Sequence, residues 1–365
     1  MAKKVGIVVG TRPNFIKVTQ FEKVFKTYGD YFDFKLIHTG QHYDKNMSDI
    51  FFEQFDLKKP DVFLQIKGLT PVAQVGEIIV QLGAFLEEWK PDILITPGDV
   101  NSTLAAAIAA NKTGTRLAHL ESGLRSFDRS MPEEINRLLT DEITDEYFVT
   151  EQSGLDHLAN ENANGHVHFV GNTMIDTLVA FNEQIEQSDV LDKYSLESGA
   201  FVLMTMHRPA NVDNEDNLLK LLKIVKHATA NYKLVFPIHP RTKNSLQKHN
   251  LFHEIENNSN VILTAPLDYF AFQKLTAHCK FVLTDSGGIQ EETTYRQVPC
   301  LTLRPNTERP SSITLGTNTL VPFEPEAVEG YIDQITEGSY KKGEVPPLWD
   351  GKATERIVAI LKDIL

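Results

Sequence analysis

The sequence has few cysteines, no long apolar run and no cluster of basic residues, and each absence narrows the class of protein. Cys279 and Cys300 are its two cysteines, and their apolar surroundings predict buried reduced thiols, not a disulfide or metal site. No run of about 18 apolar residues occurs, so no membrane span is expected. Because the strand beginning at Val5 follows no apolar signal segment, we expect a cytoplasmic protein.

The charge balance and the missing nucleotide motifs exclude further classes. The net charge is −13 without a basic stripe, so a nucleic-acid partner is not expected. An anionic ligand would therefore need a pocket with a few well-placed basic residues. Neither G-x-x-x-x-G-K-[ST] nor G-x-G-x-x-G occurs, which disfavours kinases, ATPases and dinucleotide-dependent dehydrogenases. No His, Cys and Asp spacing requires a metal ion.

Strands and helices alternate along the chain, and the alternation repeats on each side of residues 171–200. With 365 residues, the chain suits two domains. The pattern predicts an α/β fold of two Rossmann-like, doubly wound domains, covering 1–172 and 173–352. We also expect a helix around Met47–Phe55, a long polar helical segment over about 173–198, and a final amphipathic helix over 353–365.

One stretch, Leu283 to Glu292, combines a strand, an Asp-Ser-Gly-Gly turn and the start of a helix. This geometry directs backbone N–H groups and the positive end of a helix dipole at one point, which predicts a phosphate site. Ser286 can cap the helix or bond a phosphate oxygen. An ordinary strand-to-helix turn is the alternative, because Gly-Gly is common at such corners.

Ligands of doubly wound sheets bind outside the carboxyl ends of the strands, so polar residues at those positions are site candidates. They are Arg12, Lys17, Asp99, Asn101, Glu121, His207, Arg208, His239, Arg241, Asp285, Ser286 and Arg304. Asp99 and Asn101 could instead cap the following helix, and Glu133 and Glu134 could simply complement a helix dipole. Together, the set could hold a diphosphate, supply carboxylates as acid and base, and stabilise a leaving phosphate with a His.

At these motifs the sequence resembles the non-hydrolysing UDP-N-acetylglucosamine 2-epimerases. The shared motifs are Gly10-Thr11-Arg12-Pro13 with Lys17, Thr39-Gly40-Gln41-His42-Tyr43 with Met47, Pro97-Gly98-Asp99, His119-Leu120-Glu121-Ser122-Gly123-Leu124-Arg125, Pro132-Glu133-Glu134-Ile135-Asn136-Arg137, His207-Arg208, Asp285 to Glu292, Thr307-Glu308-Arg309-Pro310 and Gly316-Thr317-Asn318. Their order and spread over most of the chain make the resemblance specific.

The resemblance implies a GT-B arrangement with the active site in the interdomain cleft and the last helix packed back on the first domain. It also implies a homodimer and a role in cell-surface polysaccharide synthesis. The implied reaction interconverts UDP-GlcNAc and UDP-ManNAc without a metal or NAD. UDP leaves by anti elimination, giving 2-acetamidoglucal, and then adds back with protonation of C2 from the other face.

The resemblance also assigns roles by motif position. Asp99, Glu121 and Glu133 are the acid and base candidates, with their order left open, and His207 stabilises the leaving phosphate. The residues implied in substrate binding are Arg12, Lys17, Gln41, His42, His239, Phe272, Ser286, Gly287, Gly288, Glu292 and Arg309. Within that set, Glu292 would hold the ribose and Phe272 would lie beside the uracil.

The chain departs from the family pattern at three places. Pro209-Ala210-Asn211 replaces x-Glu-Asn, Ser311 replaces a Glu, and Tyr43-Asp44-Lys45 differs near Gln41 and His42, the region that contacts an activating UDP-GlcNAc in some members. A modified UDP-HexNAc, such as a diacetamido uronic acid, is therefore an alternative substrate. A GT-B glycosyltransferase and an inactive nucleotide-sugar sensor are alternatives from other classes, which the three carboxylates disfavour.

Overall fold

A computed structural model describes residues 2–41, 54–67 and 70–365. The chain forms two compact units, one of Met1–Ala180 with Pro347–Leu365 and one of Phe181–Pro346. The division falls after Ala180 and not after 172, because the helix Thr173–Ala180 packs against the helix Arg12–Val18.

The first unit is built on a parallel seven-stranded sheet in the order β3-β2-β1-β4-β5-β6-β7. Its strands are β1 (Lys3–Val9), β2 (Phe32–His38), β3 (Val62–Phe63), β4 (Ile93–Pro97), β5 (Arg116–Leu120), β6 (Glu146–Val149) and β7 (His166–Phe169). Its helices are Arg12–Val18, Phe21–Lys26, Pro71–Trp89, Asn101–Thr113, Pro132–Glu142, Gln152–Asn160, Thr173–Ala180 and Ala353–Ile364. The strand order reverses between β1 and β4, which brings their carboxyl ends together at the position where such sheets bind ligands.

The second unit repeats this plan with a parallel six-stranded sheet in the order β10-β9-β8-β11-β12-β13. Its strands are β8 (Phe201–Thr205), β9 (Lys233–Pro237), β10 (Val261–Thr264), β11 (Phe281–Thr284), β12 (Cys300–Thr302) and β13 (Asn318–Leu320). Its helices are Asn182–Glu186, Val190–Lys193, Pro209–Val212, Glu215–Ala228, Pro240–Lys248, Phe252–Glu256, Tyr269–His278, Ile289–Arg296, Ser311–Thr314 and Pro325–Glu337. Here the order reverses between β8 and β11, so the residues after these two strands are neighbours.

Two Rossmann-like α/β units with parallel, doubly wound sheets confirm the predicted fold class. The central strands are buried along almost their whole length, as expected of strands covered on both faces. Both cysteines are buried and free, as predicted. Burial raises the pKa of the Cys300 thiol to about 11 and also raises that of Cys279.

The predicted long helix over 173–198 is wrong. The segment breaks into the helices Thr173–Ala180, Asn182–Glu186 and Val190–Lys193. Between residues 181 and 198, the buried apolar side chains are Ile185, Val190 and Leu196, so no continuous apolar stripe supports one helix. The helix expected around Met47–Phe55 lies largely outside the described residues.

The last helix, Ala353–Ile364, belongs to the first unit. The carboxylate of Asp176 accepts hydrogen bonds from the backbone N–H groups of Ala353 at 3.0 Å and Thr354 at 2.6 Å. Trp349, which is buried, donates its indole N–H to the carbonyl of Thr150 at 2.9 Å. The last helix therefore packs against the helices Phe21–Lys26 and Thr173–Ala180 of the first unit.

None of the helices formed by the described residues is long and apolar enough to cross a bilayer.

Candidate active site

Lys17 and Glu121 form a buried ion pair at the carboxyl edge of the first sheet. The ammonium Nζ of Lys17 lies 2.5 Å from Oε2 of Glu121, and both side chains are nearly inaccessible to water. Glu121 has a left-handed backbone, with φ of +71°, a conformation that costs free energy for a residue with a side chain and is concentrated at functional sites. Gly98 has the same φ, and a Cβ there would lie 2.8 Å from Lys17 Nζ. A glycine at this position therefore makes room for the pair.

Asp99 is held by a second charged network beside this pair. Its carboxylate lies 2.5 Å from Nη2 of Arg137, whose Nη1 lies 2.7 Å from Glu134. Asn136 also donates from Nδ2 to the backbone carbonyl of Asp99 at 2.8 Å. Asp99 is partly exposed whereas Glu134 and Arg137 are buried. The network thus presents one carboxylate to solvent from a rigid, buried support.

Glu133 and Glu134 are adjacent in the sequence but occupy different environments. Glu133 is exposed on the first turn of the helix Pro132–Glu142. Glu134 is buried, and it accepts hydrogen bonds from the N–H groups of Ser126 and Phe127 as well as from Arg137. The described contacts thus link Glu134, not Glu133, to Asp99.

The buried pair of His119 and Asp141 supports the loops of both carboxylates. The Nδ1 atom of His119 lies 2.6 Å from Asp141, and Nε2 lies 2.7 Å from the carbonyl of Gly98, next to Asp99. Asp141 also accepts from the N–H of Gly123, just after Glu121, at 3.0 Å. Burial opposes ionisation of Asp141, but His119 and Arg125 outweigh it and lower the pKa of the carboxyl.

Gln41 lies at the same sheet edge, and Arg12 begins the helix after β1. The side-chain oxygen of Gln41 accepts from the N–H and the hydroxyl of Ser102, at 2.9 and 2.6 Å, on the helix that follows Asp99. Arg12 is exposed at the first position of its helix. His42 lies outside the described residues. The first unit therefore gathers Lys17, Gln41, Asp99 and Glu121.

In the second unit, Asp285 organises the ends of two strands. Its buried carboxylate accepts from the N–H groups of His207 and Arg208, and lies 2.9 Å from Nδ1 of His207. Asn211 donates to the same carboxylate, at 3.3 Å, and to the carbonyl of Leu303. Burial opposes ionisation of Asp285, but hydrogen bonding to His207 and its charge lower the pKa of the carboxyl. His207 remains half-exposed, available to a ligand.

The ring of His239 lies beside that of His207, with centroids 5.5 Å apart. Its Nδ1 atom accepts from the N–H of Arg241 at 3.1 Å, so Nε2 carries the hydrogen of the neutral ring. Partial burial, the charge of His207 and that of Arg241 lower the pKa of His239. His239 is therefore an uncharged N–H donor next to His207 at neutral pH.

The predicted anion-binding turn follows β11 and leads into the helix Ile289–Arg296. Gly287 and Gly288 donate no backbone–backbone hydrogen bond within the part of the chain that is described, which leaves the donors of the helix start directed outward. A Cβ on Gly287 would lie 2.9 Å from Oε1 of Glu308, so this approach requires glycine.

Arg309 lies within a buried network of charges next to this turn. Its Nε atom lies 2.7 Å from Glu291, and Nη1 lies 2.8 Å from Glu308. Glu308 also pairs with Arg304, whose Nη2 atom lies 3.2 Å away. Basic side chains are thus fixed beside the turn in spite of the acidic charge of the whole chain.

Glu292 and Phe272 lie on two helices that pack together, Ile289–Arg296 and Tyr269–His278. Glu292 is buried. Burial of Tyr269, and then the charge of Glu292, raise the pKa of the Tyr269 phenol. Phe272 is partly buried against the apolar core of this unit. A carboxylate and an aromatic side chain therefore lie on adjacent helices beyond the turn.

Both units are therefore Rossmann-like α/β domains with parallel sheets. The first carries Asp99 and Glu121 at its strand ends, and the second carries a glycine turn next to buried arginines. Across residues 2–41, 54–67 and 70–365, no group of three or more His, Cys, Asp or Glu side chains is arranged to hold a metal ion.

Comparisons with known proteins give the family. The model of the UDP-N-acetylglucosamine 2-epimerase family matches residues 27–362. A UDP-N-acetylglucosamine 2-epimerase of Methanococcus maripaludis is 36% identical over 98% of each chain. The UDP-2,3-diacetamido-2,3-dideoxy-D-glucuronate 2-epimerase of Pseudomonas aeruginosa is 35% identical over 87% of this chain and 88% of its own. The crystal structure of Methanocaldococcus jannaschii UDP-GlcNAc 2-epimerase with UDP-GlcNAc and UDP superimposes with a TM-score of 0.88, at 36% identity and 99% coverage of each chain. The chain belongs to the UDP-N-acetylglucosamine 2-epimerase family.

Sequence reasoning missed the supporting residues. His119 and Asp141 received no role, and Glu134 was considered only as a helix-dipole residue. The signal for His119 was its position near the end of β5, just before the loop that carries Glu121.

Proposed function

We propose that the protein interconverts UDP-GlcNAc and UDP-ManNAc by epimerisation at C2. The observation that carries this proposal is the pair of cation-held carboxylates, Glu121 with Lys17 and Asp99 with Arg137, in a member of the 2-epimerase family. The similarity to a structure that contains UDP-GlcNAc and UDP supports the choice of substrate.

The mechanism must overcome the low acidity of the C2 proton, which is not next to a carbonyl group. Anti elimination solves this problem, because the C1–O bond to UDP breaks as a base removes the proton, giving 2-acetamidoglucal. Re-addition of UDP, with protonation of C2 from the opposite face, gives the epimer. The reaction therefore needs an acid, a base and strong stabilisation of the departing diphosphate.

We assign the proton transfers to the first unit, with Asp99 and Glu121 on opposite faces of the sugar and Glu133 as a third candidate. Each of the first two lies within ion-pair distance of a basic side chain, Arg137 for Asp99 and Lys17 for Glu121. We assign the diphosphate to the second unit, where the Ser286–Gly288 turn, His207 and Arg309 can neutralise the developing charge.

The remaining binding residues follow the same division. We propose that Arg12 and Lys17 approach the phosphates, Glu292 the ribose and Phe272 the uracil, with His239 donating from Nε2. A homodimer in the cytoplasm, serving cell-surface polysaccharide synthesis, completes the proposal. Two free, buried cysteines fit a reducing compartment.

A modified UDP-HexNAc is the second candidate substrate, and the similarity to the Pseudomonas aeruginosa diacetamido-glucuronate epimerase favours it. The two candidates differ by an acetamido group at C3 and a carboxylate at C6. An enzyme adapted to the uronic acid would require a cation for that carboxylate. Initial rates with both sugars would therefore separate them.

The test is to incubate the pure protein with UDP-GlcNAc in D2O, without an acceptor, and to follow C2 by NMR. We expect deuterium at C2 together with UDP-ManNAc. Release of free sugar would indicate a glycosyltransferase or hydrolase and would contradict the proposal. An unchanged substrate, with turnover of the diacetamido uronic acid in parallel, would establish the second candidate.

A further inference from the structure

Arg304 is a buried arginine whose hydrogen-bonding capacity is only partly used. Its side chain is 3% exposed, and its Nη2 atom donates to Glu308 at 3.2 Å. Within the described residues, its Nε and Nη1 atoms have no hydrogen-bond partner. Unsatisfied buried donors of a charged group are costly, so their presence calls for an acceptor that arrives from elsewhere.

The position of Arg304 points to the nature of that acceptor. Arg304 follows β12, which pairs with β11, the strand that leads into the Ser286–Gly288 turn. Its Nη1 atom lies 3.4 Å from the place that a Cβ on Gly287 would occupy. The free donors therefore lie beside the outward-directed N–H groups of the turn.

The charges around Arg304 also favour an added anion. Burial lowers the pKa of Arg304, Glu308 opposes that change, and the nearby charge of Arg208 adds to it. Glu308 is shared with Arg309, so one carboxylate serves two guanidinium groups. A phosphate group would supply both the charge and the acceptor oxygens that this arrangement lacks.

We infer that Arg304 is a binding residue for the nucleotide diphosphate and donates from Nε and Nη1 to phosphate oxygens at the Ser286–Gly288 turn. The inference deepens the proposed function and rests on it for the identity of the ligand. Glu308 holds Arg304 in place through Nη2 and competes with the phosphates for its charge.

The test compares two variants that both carry Glu308→Gln and differ only at position 304. Glu308→Gln neutralises the carboxylate and keeps Arg304, whereas the double variant Arg304→Gln/Glu308→Gln removes both charges. Calorimetry measures the binding of UDP and inorganic pyrophosphate, and saturation-transfer NMR measures that of uridine. Lys220→Gln, which removes a basic side chain of the same unit that pairs with Glu324, is the control.

We expect Glu308→Gln to bind UDP and pyrophosphate at least as tightly as the unaltered protein does. The double variant should bind both about tenfold or more weakly than Glu308→Gln, because charge-assisted hydrogen bonds are lost. Its affinity for uridine should not change. Equal UDP affinity in the two variants, or a parallel loss of uridine binding, would overturn the inference.

The unaltered protein separates this inference from the proposed function. Tight binding of UDP and pyrophosphate without epimerisation of either sugar would refute the proposed function and leave the role of Arg304 supported. Failure of the unaltered protein to bind either phosphate compound would overturn both.

Discussion

The imidazole of His119 bridges the carboxylate of Asp141 and the carbonyl oxygen of Gly98, at 2.6 and 2.7 Å. His119 thus connects β5 to Asp141 on one side and to the backbone just before Asp99 on the other. The same Asp141 accepts a hydrogen bond from the N–H of Gly123. One buried, hydrogen-bonded pair thereby fixes the loops on which Asp99 and Glu121 lie.

Replacing His119 with Asn should lower kcat about a hundredfold, because a displacement of about 1 Å in reacting groups has that effect. KM should change little, since most of the proposed phosphate contacts, at the Ser286–Gly288 turn, His207 and Arg309, lie in the other unit. The measurement is steady-state epimerisation. His166→Asn is the control, because His166 is exposed and contacts Glu146 far from this edge. A proportional rise in KM would contradict a positioning role.

Replacing Glu133 or Glu134 with Gln should have very different effects on the stability of the protein. Glu133→Gln should leave the melting temperature unchanged because the side chain is exposed. Glu134→Gln should cost about 3 kcal/mol or more in the free energy of unfolding, because it removes the buried charge that pairs with Nη1 of Arg137. Denaturant unfolding measures the stability of both variants, and NMR measures whether each variant still exchanges deuterium at C2. Exchange that survives in Glu133→Gln would remove this residue from the acid and base candidates.

Asp285 should make the second unit sensitive to acid. Its folded pKa is lowered, so its contribution to stability is present above the unfolded pKa of about 3.9 and is lost as the pH falls through the folded value. Asp285→Asn should therefore cost about 2 kcal/mol at pH 7 and progressively less toward pH 3. Urea unfolding at several pH values measures this. Asp213→Asn, which removes an exposed pair with Arg241, should have little effect. A pH-independent difference for Asp285→Asn would refute the assignment.

Asp176→Ala should loosen the last helix, because it removes the acceptor of two helix-start N–H groups. We expect a loss of about 1 to 2 kcal/mol and faster amide hydrogen exchange over 353–365. Asp156→Ala, an exposed carboxylate bonded to Gln152, is the control. Unchanged exchange in that segment would mean that other contacts hold the helix.

The sequence predicts most of the fold because its signals are local. Buried β-branched strands alternate with amphipathic helices, and the rule for strand ends places Asp99, Glu121, His207 and Asp285 at the correct edges. The segment after Ala180 escaped prediction because a polar sequence with good helix formers resembles one long helix until packing breaks it.

The supporting contacts could not be predicted because they depend on tertiary partners. Glu133 and Glu134 share one helical turn, and only the location of Arg137 and the Ser126 loop decides which of them is buried. Arg304 was recognised as a strand-end residue, but its unused donors become visible only when its neighbours are known. Charge networks within the described residues are therefore where the structure adds most to the sequence.

The return of residues 347–365 to the first unit has a consequence for biosynthesis. The second unit is continuous in sequence and can fold as soon as it leaves the ribosome, whereas the first must wait until residues 347–365 have been made. Until then, the carboxylate of Asp176 lacks the N–H groups of Ala353 and Thr354, and the carbonyl of Thr150 lacks the indole N–H of Trp349. A chain that ended just before residue 347 would thus have a finished second unit and an incomplete first one. Such a chain would be prone to aggregation or proteolysis.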